Sequence, residues 1–340
     1  MKKILLINST EGFLSGFVEH IQHEHGVENI NEFVMPKVPR VFCFQGAYAR
    51  AILVQIIYFF VFLANIFKIT SKNNVIILNG NGVTPSFMAC SAIAKIINPD
   101  IKIVVIHYFL NNLRASGLVM KAIKFLFNKK YTCLIALTSD DQAYFRALIP
   151  KATVLFHPLC LYDHKPENFV KETSNDSYIF SGGATNRDYD TLAKAASHVD
   201  AKFVVIAGNS NEISDVPSNL TLLRNIAKPD FSRYLSNAAF VVISLKLPVG
   251  SSGHMVALSA MSWGKAIIYT DASCLNDYFD ADSGLKFKLG DAADLADKIN
   301  LLLSNPDEVA RLGAHAARRF DKHLKEDVFY NFLATVCMKS

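Results

Sequence analysis

Acidic residues are almost missing from one long stretch of this 340-residue chain. Between positions 33 and 130 a single acid, Asp100, stands against 12 lysines and arginines. That imbalance implies a phosphate-rich partner, and nucleic acid or an anionic membrane face would both fit. Paired cysteine motifs are missing too. Cys43, Cys90, Cys133, Cys160, Cys274 and Cys337 are scattered, with no CxxC and no metal-like spacing to histidine, so they read as buried thiols of a reducing compartment. Only the four residues ILLI separate Met1-Lys2-Lys3 from polar NST, too few for the apolar region of a signal peptide, and a cytoplasmic location is expected. Low-complexity tracts are absent as well. With 51% apolar and 19% charged residues the chain should be ordered, and its length suits two domains, each with its own core.

What is present is a repeated alternation. KKILLINS, NVIILNGNG, KIVVIHYF, CLIALTS and ATVLFHP are short apolar runs ending in polar residues, the shape of buried parallel strands. Helix-compatible stretches lie between them at 13–25, 48–70, 84–97, 116–130 and 139–148. The alternation predicts a doubly wound α/β domain over 1–165. Residues 163–177, DHKPENFVKETSNDS, are polar, contain proline and have no apolar period, as a linker would. Strands return at YIFSGG, KFVVIAGN, LTLLRN, FVVISL, AIIYTD and GLKFKL, with helices expected at 188–198, 230–237, 253–263 and 291–303. A second α/β domain is predicted over 176–320. Helices near 306–316 and 324–338 close the chain, and residues 321–340 are candidates to pack back on the first domain.

Two stretches point to a membrane. AILVQIIYFFVFLANIF, residues 51–67, sits at the lower length limit of a membrane span. Crossing a bilayer there would split one sheet between its two sides, which leaves a buried crossover helix or one that also dips a face into lipid, flanked by Arg50, Lys68 and Lys72. In LVMKAIKFLFNKK, residues 118–130, lysines punctuate Leu, Met, Ile and Phe. Such a pattern fits a helix on an anionic membrane surface or a packed helix with a solvated lysine edge.

The chemistry-bearing stretches lie mainly in the second half. YIFSGGATNRDYDTLAKAA reads as strand, glycine turn and helix. Gly182 and Gly183 there would let a phosphate approach backbone N–H groups, and Arg187 would supply a cationic fork to a diphosphate. Asp188 and Asp190 are two apart, so on a helix they diverge and do not grip one metal ion; both read as helix N-terminal charges. SSGHMVALSAMSWGK begins a second such helix, capped by Ser251 or Ser252, with Gly253-His254-Met255 as its first turn and an apolar remainder. The burial of that helix leaves its tip as the working end. Two phosphate-friendly turns suggest a nucleotide diphosphate held in an interdomain cleft. His20, His23 and His25 fall at i, i+3 and i+5 and should not converge on one ion, so no metal is expected.

Residues 178–325 resemble the nucleotide-binding half of GT-B glycosyltransferases of the family 4 type. FSGGATNRDYDTLAKAA, SSGHMVALSAMSWGKAIIYTDASCLNDYF, SGLKFKLGDAADLADKINLLLSNPDEVARLG and ARRFDKHL carry the resemblance by order and spacing. It implies two Rossmann-like doubly wound domains facing a cleft, a UDP-sugar or similar donor, no other cofactor, and retention of anomeric configuration without metal. It implies that Gly182, Gly183 and Arg187 hold the diphosphate, that Gly253, His254 and Met255 meet it with backbone N–H groups, and that Ile226 contacts the base. His107 would face the donor sugar, and Gly12 matches the loop after the first strand. Two glutamates of that family, seven residues apart in between, are here Ser251 and Ser259, which weakens the grip on ribose. The arginine usual after the first glycine is replaced by Gly183, which shifts weight to Arg187 and Lys246.

Together these features predict a glycosyltransferase at the inner face of the cytoplasmic membrane, held there by residues 50–72 and 118–130, that extends a lipid-linked or polysaccharide acceptor. A nucleotide-sugar epimerase would need a carboxylate base that the basic half scarcely offers. A catalytically silent scaffold of a polysaccharide complex is the reading that Ser251 and Ser259 motivate. Nucleic-acid binding is disfavoured by the apolar interleaving and the lack of a recognition motif.

Overall fold

The computed structural model describes residues 3–8, 14, 16–34, 47–72, 74–79, 85–106, 117–161, 177–248 and 252–339. The chain divides into two compact units, Met1–His157 with Phe329–Ser340, and Pro158–Val328. The first contains β1 (Ile4–Asn8), α1 (Phe17–His25), β2 (Ile30–Val34), α2 (Ala47–Lys72), β3 (Val75–Asn79), α3 (Pro85–Ile97), β4 (Lys102–Ile106), α4 (Gly117–Phe127), β5 (Thr132–Ala136), α5 (Ser139–Leu148) and β6 (Thr153–Phe156). Its sheet is parallel with the order β2-β1-β3-β4-β5-β6.

Period-two alternation sorts the strand residues between the two faces of this sheet. Leu5, Ile7, Ile76, Leu78, Ile103, Val105 and Leu134 share one core with α2, α3, α4 and α5. Lys102, Val104 and Cys133 alternate with them and therefore face the other way. α1 and the C-terminal helix α12 (Glu326–Met338) meet through Phe17 and Tyr330, whose rings lie 5.7 Å apart. His20 and His25 both bond Asn331 Oδ1, at 3.0 and 2.9 Å, so the two rings converge on an amide of α12.

The long apolar helix α2 joins two strands that flank β1 in one parallel sheet, and Phe62, Ile66 and Ile69 are buried in the core. It is a crossover helix. Among the described residues no helix is long and apolar enough to cross a membrane. The strand β2 has no counterpart in the sequence reading, because it lies at the sheet edge and only Ile30 of its five residues is buried.

The second unit repeats the plan with β7 (Tyr178–Gly183), α6 (Tyr189–Ala196), β8 (Lys202–Ala207), β9 (Leu220–Arg224), α7 (Lys228–Asn237), β10 (Phe240–Ile243), α8 (His254–Ser262), β11 (Ile267–Thr270), a short α9 (Ser273–Asn276), β12 (Leu285–Phe287), α10 (Ala292–Leu303) and α11 (Pro306–His323). Its parallel order is β12-β11-β10-β7-β8-β9. The chain runs outward from β7 to β9, then restarts beside β7 at β10. The loops after β7 and β10 therefore leave the carboxyl edge side by side and diverge, the place where doubly wound sheets bind ligands.

Candidate functional site

At that switch point the two loops are tied together. Asp188 N–H donates to Ser244 O at 3.0 Å and Lys246 N–H to Asn186 O at 3.2 Å. The Asn186 amide donates to Leu247 O and accepts from Leu247 N–H, each at 3.0 Å. Asn186 takes a left-handed φ of 55° to do so. This pairing fixes the Gly182–Asp188 turn against the segment that leads into α8.

Each glycine of the turn is required by a neighbour. A Cβ on Gly182 would stand 2.7 Å from Phe231 of α7, and one on Gly183, at φ 122°, would run into the Arg187 guanidinium. Arg187 thus reaches back four residues and lays its guanidinium over Gly183. It is only 5% exposed, with Nε donating to Gly182 O at 2.9 Å and Nη1 to Thr185 O at 2.8 Å. Burial lowers its pKa, and the groups that offset this are Tyr189 and Cys274; no carboxylate is among them. Among the described residues this buried cation is solvated by carbonyls and a phenol, an environment that favours an anion brought next to it. The Tyr189 hydroxyl donates to Gly183 O at 2.6 Å, and burial pushes it up to about 12.

The two helix N-termini at this edge differ. α6 is closed by its own Asp188, whose carboxylate accepts from Thr191 N–H at 3.1 Å and from the Thr191 hydroxyl at 2.7 Å. Asp188 is thus the N-terminal charge of α6, and it occupies the Thr191 N–H. α8 begins at Gly253 in the left-handed region, φ 84°, with no side-chain cap. The expected cap, Ser252, is instead buried ahead of the helix, and Ser251 lies outside the described residues. The first N–H groups of α8 are therefore free of any side-chain cap, and they carry the positive end of the helix dipole.

The His254 side chain does not reach toward a ligand; only its backbone N–H belongs to the tip of α8. Its ring is buried, stacks on Tyr278 at 4.3 Å and bonds Cys274 O at 2.8 Å through Nε2. Burial first, then the nearby Arg187, brings its pKa down to about 4, so the imidazole is neutral. The Tyr278 hydroxyl accepts from Leu159 N–H at 2.7 Å, which locks the stack to the start of the unit. The side chain at 254 thus holds the tip of α8 in place.

The other expected residues are dispersed. Lys246 is exposed on the tied loop, Met255 is exposed on the first turn of α8, Ser259 is half-buried a turn further on, and Ile226 is half-buried between β9 and α7. His107 and Gly12 lie outside the described residues. Two groups escaped the sequence reading. The hydroxyls of Ser181, on β7, and Ser244, just after β10, are buried without a hydrogen-bond partner beside the tied loops. Nothing in their sequence context separates them from ordinary strand serines; adjacency across β7 and β10 does.

Within the second unit, residues 176–305 match the family model described as glycosyl transferases group 1. By sequence alone no curated protein matches the chain. Solved structures do match along its length. Sucrose-phosphate synthase from Thermosynechococcus elongatus aligns with a TM-score of 0.71 at 14% identity, over 99% of this chain and 98% of that one. HepE from Anabaena, in complex with UDP-glucose, gives 0.66 at 13% identity over 99% of both chains. The apo form of the lipopolysaccharide outer core galactosyltransferase WaaB gives 0.67 at 12% identity, again over 99% of both. At such identities the matches establish the fold, two Rossmann-like domains of the GT-B type.

Proposed function

We propose that this protein transfers a sugar from a nucleotide-diphosphate donor, UDP-sugar first among them, to a lipid-linked or polysaccharide acceptor, with retention and without metal. The observation that carries the reading is the buried Arg187 guanidinium, offset by no carboxylate among the described residues, at the same sheet edge as the N-terminus of α8, whose Gly253 N-cap offers no side chain. Both features favour a diphosphate. As the sugar–phosphate bond breaks, negative charge grows on the leaving diphosphate, and a fixed cation and fixed N–H dipoles stabilise that charge without a divalent ion. Arg187 fills the space that a side chain at Gly183 would take, so the guanidinium lies directly over the glycine turn. The UDP-glucose held by HepE is the reason to place uridine first. His107 remains the proposed contact to the donor sugar, Gly12 a proposed part of the nucleotide-sugar site through the loop after the first strand, and Ile226 the proposed contact to the base.

Membrane association belongs to the same reading. Ile56, Phe60 and Leu63 form an exposed apolar stripe on α2; Ile96 is exposed on α3, which packs on α2, and Phe125 on α4, which packs on α3. Lys121 and Lys124 are exposed on the same helix as Phe125. A peripheral position on the anionic inner face of the cytoplasmic membrane would cover that surface.

The test is thermal unfolding against UDP, GDP, ADP and CMP, with sugar transfer measured in parallel. UDP at a hundred times its Kd should add about 2.7 kcal/mol to the folded state. Arg187→Ala should abolish the UDP shift and cut turnover roughly 10²–10³-fold, with Arg187→Lys, which keeps the charge, between it and wild type. A full shift in Arg187→Ala would remove this residue from the site. No shift with any nucleotide would favour the silent scaffold that Ser251 and Ser259 suggest; release of nucleotide without transfer to an acceptor would favour an epimerase.

A further inference from the structure

The amino-terminal edge of the first sheet, opposite the edge that doubly wound domains use for their main ligand, holds a cavity of about 500 Å³. It lies where β4, β5 and β6 begin, on the face that α12 shares, and α12 covers only part of it. Lys102, Lys130, Lys151 and Lys339 stand around it, and no carboxylate is among the described residues that line it. Thr132 and Thr153 add hydroxyls, that of Thr335 being committed to Asn331 O at 2.9 Å, while Cys133, Leu155, Phe332 and Val336 make the lining apolar beneath.

The carbonyl end of α12 also faces this space, and a helix C-terminus repels anions. Lys102 offsets it: its Nζ donates to Val336 O at 2.7 Å and to Lys339 O at 2.8 Å. Lys130 is oriented by Tyr131, with Nζ 5.0 Å from the ring centroid. The charge of Lys102 is thus spent on the helix end, and the exposed ammonium groups of Lys130 and Lys151 set the sign of the cavity. We propose that it is a second anion site, taking a ligand with a phosphate group on an apolar body. The phosphate meets lysines and threonine hydroxyls at the rim, and the apolar part lies on Leu155, Phe332 and Val336. This inference does not rest on the transferase reading.

The experiment uses the full chain and soluble probes, so that surface adsorption to a bilayer plays no part. Binding of monomeric dihexanoyl phosphatidate, dihexanoyl phosphatidylcholine and inorganic pyrophosphate is measured by calorimetry, with hydrogen exchange read over residues 326–339. The exposed pair Lys130→Gln/Lys151→Gln leaves the core untouched. Phosphatidate should bind at least tenfold more tightly than phosphatidylcholine, slow exchange in α12, and lose about tenfold in affinity in the double variant. Pyrophosphate that matches phosphatidate, and weakens equally in the variant, keeps the anion site but assigns it to a free phosphate compound. Absence of binding, equal binding of phosphatidylcholine, or affinity unchanged in the variant overturns the proposal.

Discussion

At the scale of single residues, the turn after β7 holds two positions, four residues apart, that constrain each other. Gly183 is small because Arg187 lies over it, and the two positions are readable only together. His254 is the opposite case, a polar residue at a helix tip that the structure uses for packing. Its imidazole titrates near 4 in the folded protein, against an ordinary value near 6.5. Above pH 6.5 neither the folded nor the unfolded state protonates it. As pH falls from 6.5 towards 4, only the unfolded state takes up the proton, so stability is lost over that window. The loss is on the order of 3 kcal/mol across it. Urea unfolding at pH 7.0 and 5.0 should show a steeper decline for wild type than for His254→Gln, and parallel declines would dismiss the buried neutral histidine.

At the scale of elements, caps and exposed faces separate helices that look alike in sequence. α6 and α8 both follow a strand and a glycine, yet Asp188 closes the first and nothing closes the second. A cap is a hydrogen bond, and composition does not say which residue will make it. The apolar content of α2 similarly hides two uses: Phe62, Ile66 and Ile69 pack on the sheet, whereas Ile56, Phe60 and Leu63 do not. If the exposed stripe and the lysines of α4 meet an anionic surface, Lys121→Gln/Lys124→Gln should weaken binding to phosphatidylglycerol vesicles by about 1 kcal/mol per lysine. Phe60→Ser should weaken it at all salt concentrations, whereas the lysine variant should matter least at high salt. Co-sedimentation that is indifferent to both changes would leave this face without a lipid role.

At the scale of the whole molecule, the first unit is built from two distant pieces of chain. Phe329, Tyr330, Leu333, Ala334, Val336 and Cys337 of α12 are buried, and Phe329–Ser340 groups with Met1–His157. Burial of the large apolar ones, Phe329, Leu333 and Val336, is worth ~1.5–3 kcal/mol each, so their sum is comparable with the roughly 5–15 kcal/mol that holds an ordinary domain together. Deleting residues 326–340 should therefore unfold the first unit and spare the second. Hydrogen exchange would show it as lost protection in β1 and β3 with retained protection in β7 and β8; equal protection in both units would mean that α12 is dispensable.

The sequence by itself determined the parallel strands, because fully buried strands must be continuous apolar runs, and it determined the alternation that makes both units doubly wound. It marked the Gly182–Arg187 turn and the start of α8 as the places to look, since glycine before a helix is a visible pattern. It did not show β2, whose single buried residue leaves no periodic signal, nor the short α9. Only the tertiary structure decided that Asp188 occupies one helix end, that His254 turns inward onto Tyr278, and that Ser181 and Ser244 lie buried at neighbouring strand ends. It alone gathered Lys102, Lys130, Lys151 and Lys339 around one cavity. Each of these depends on which strands are adjacent and which way a side chain points, and neighbours made by sheet order are far apart along the chain.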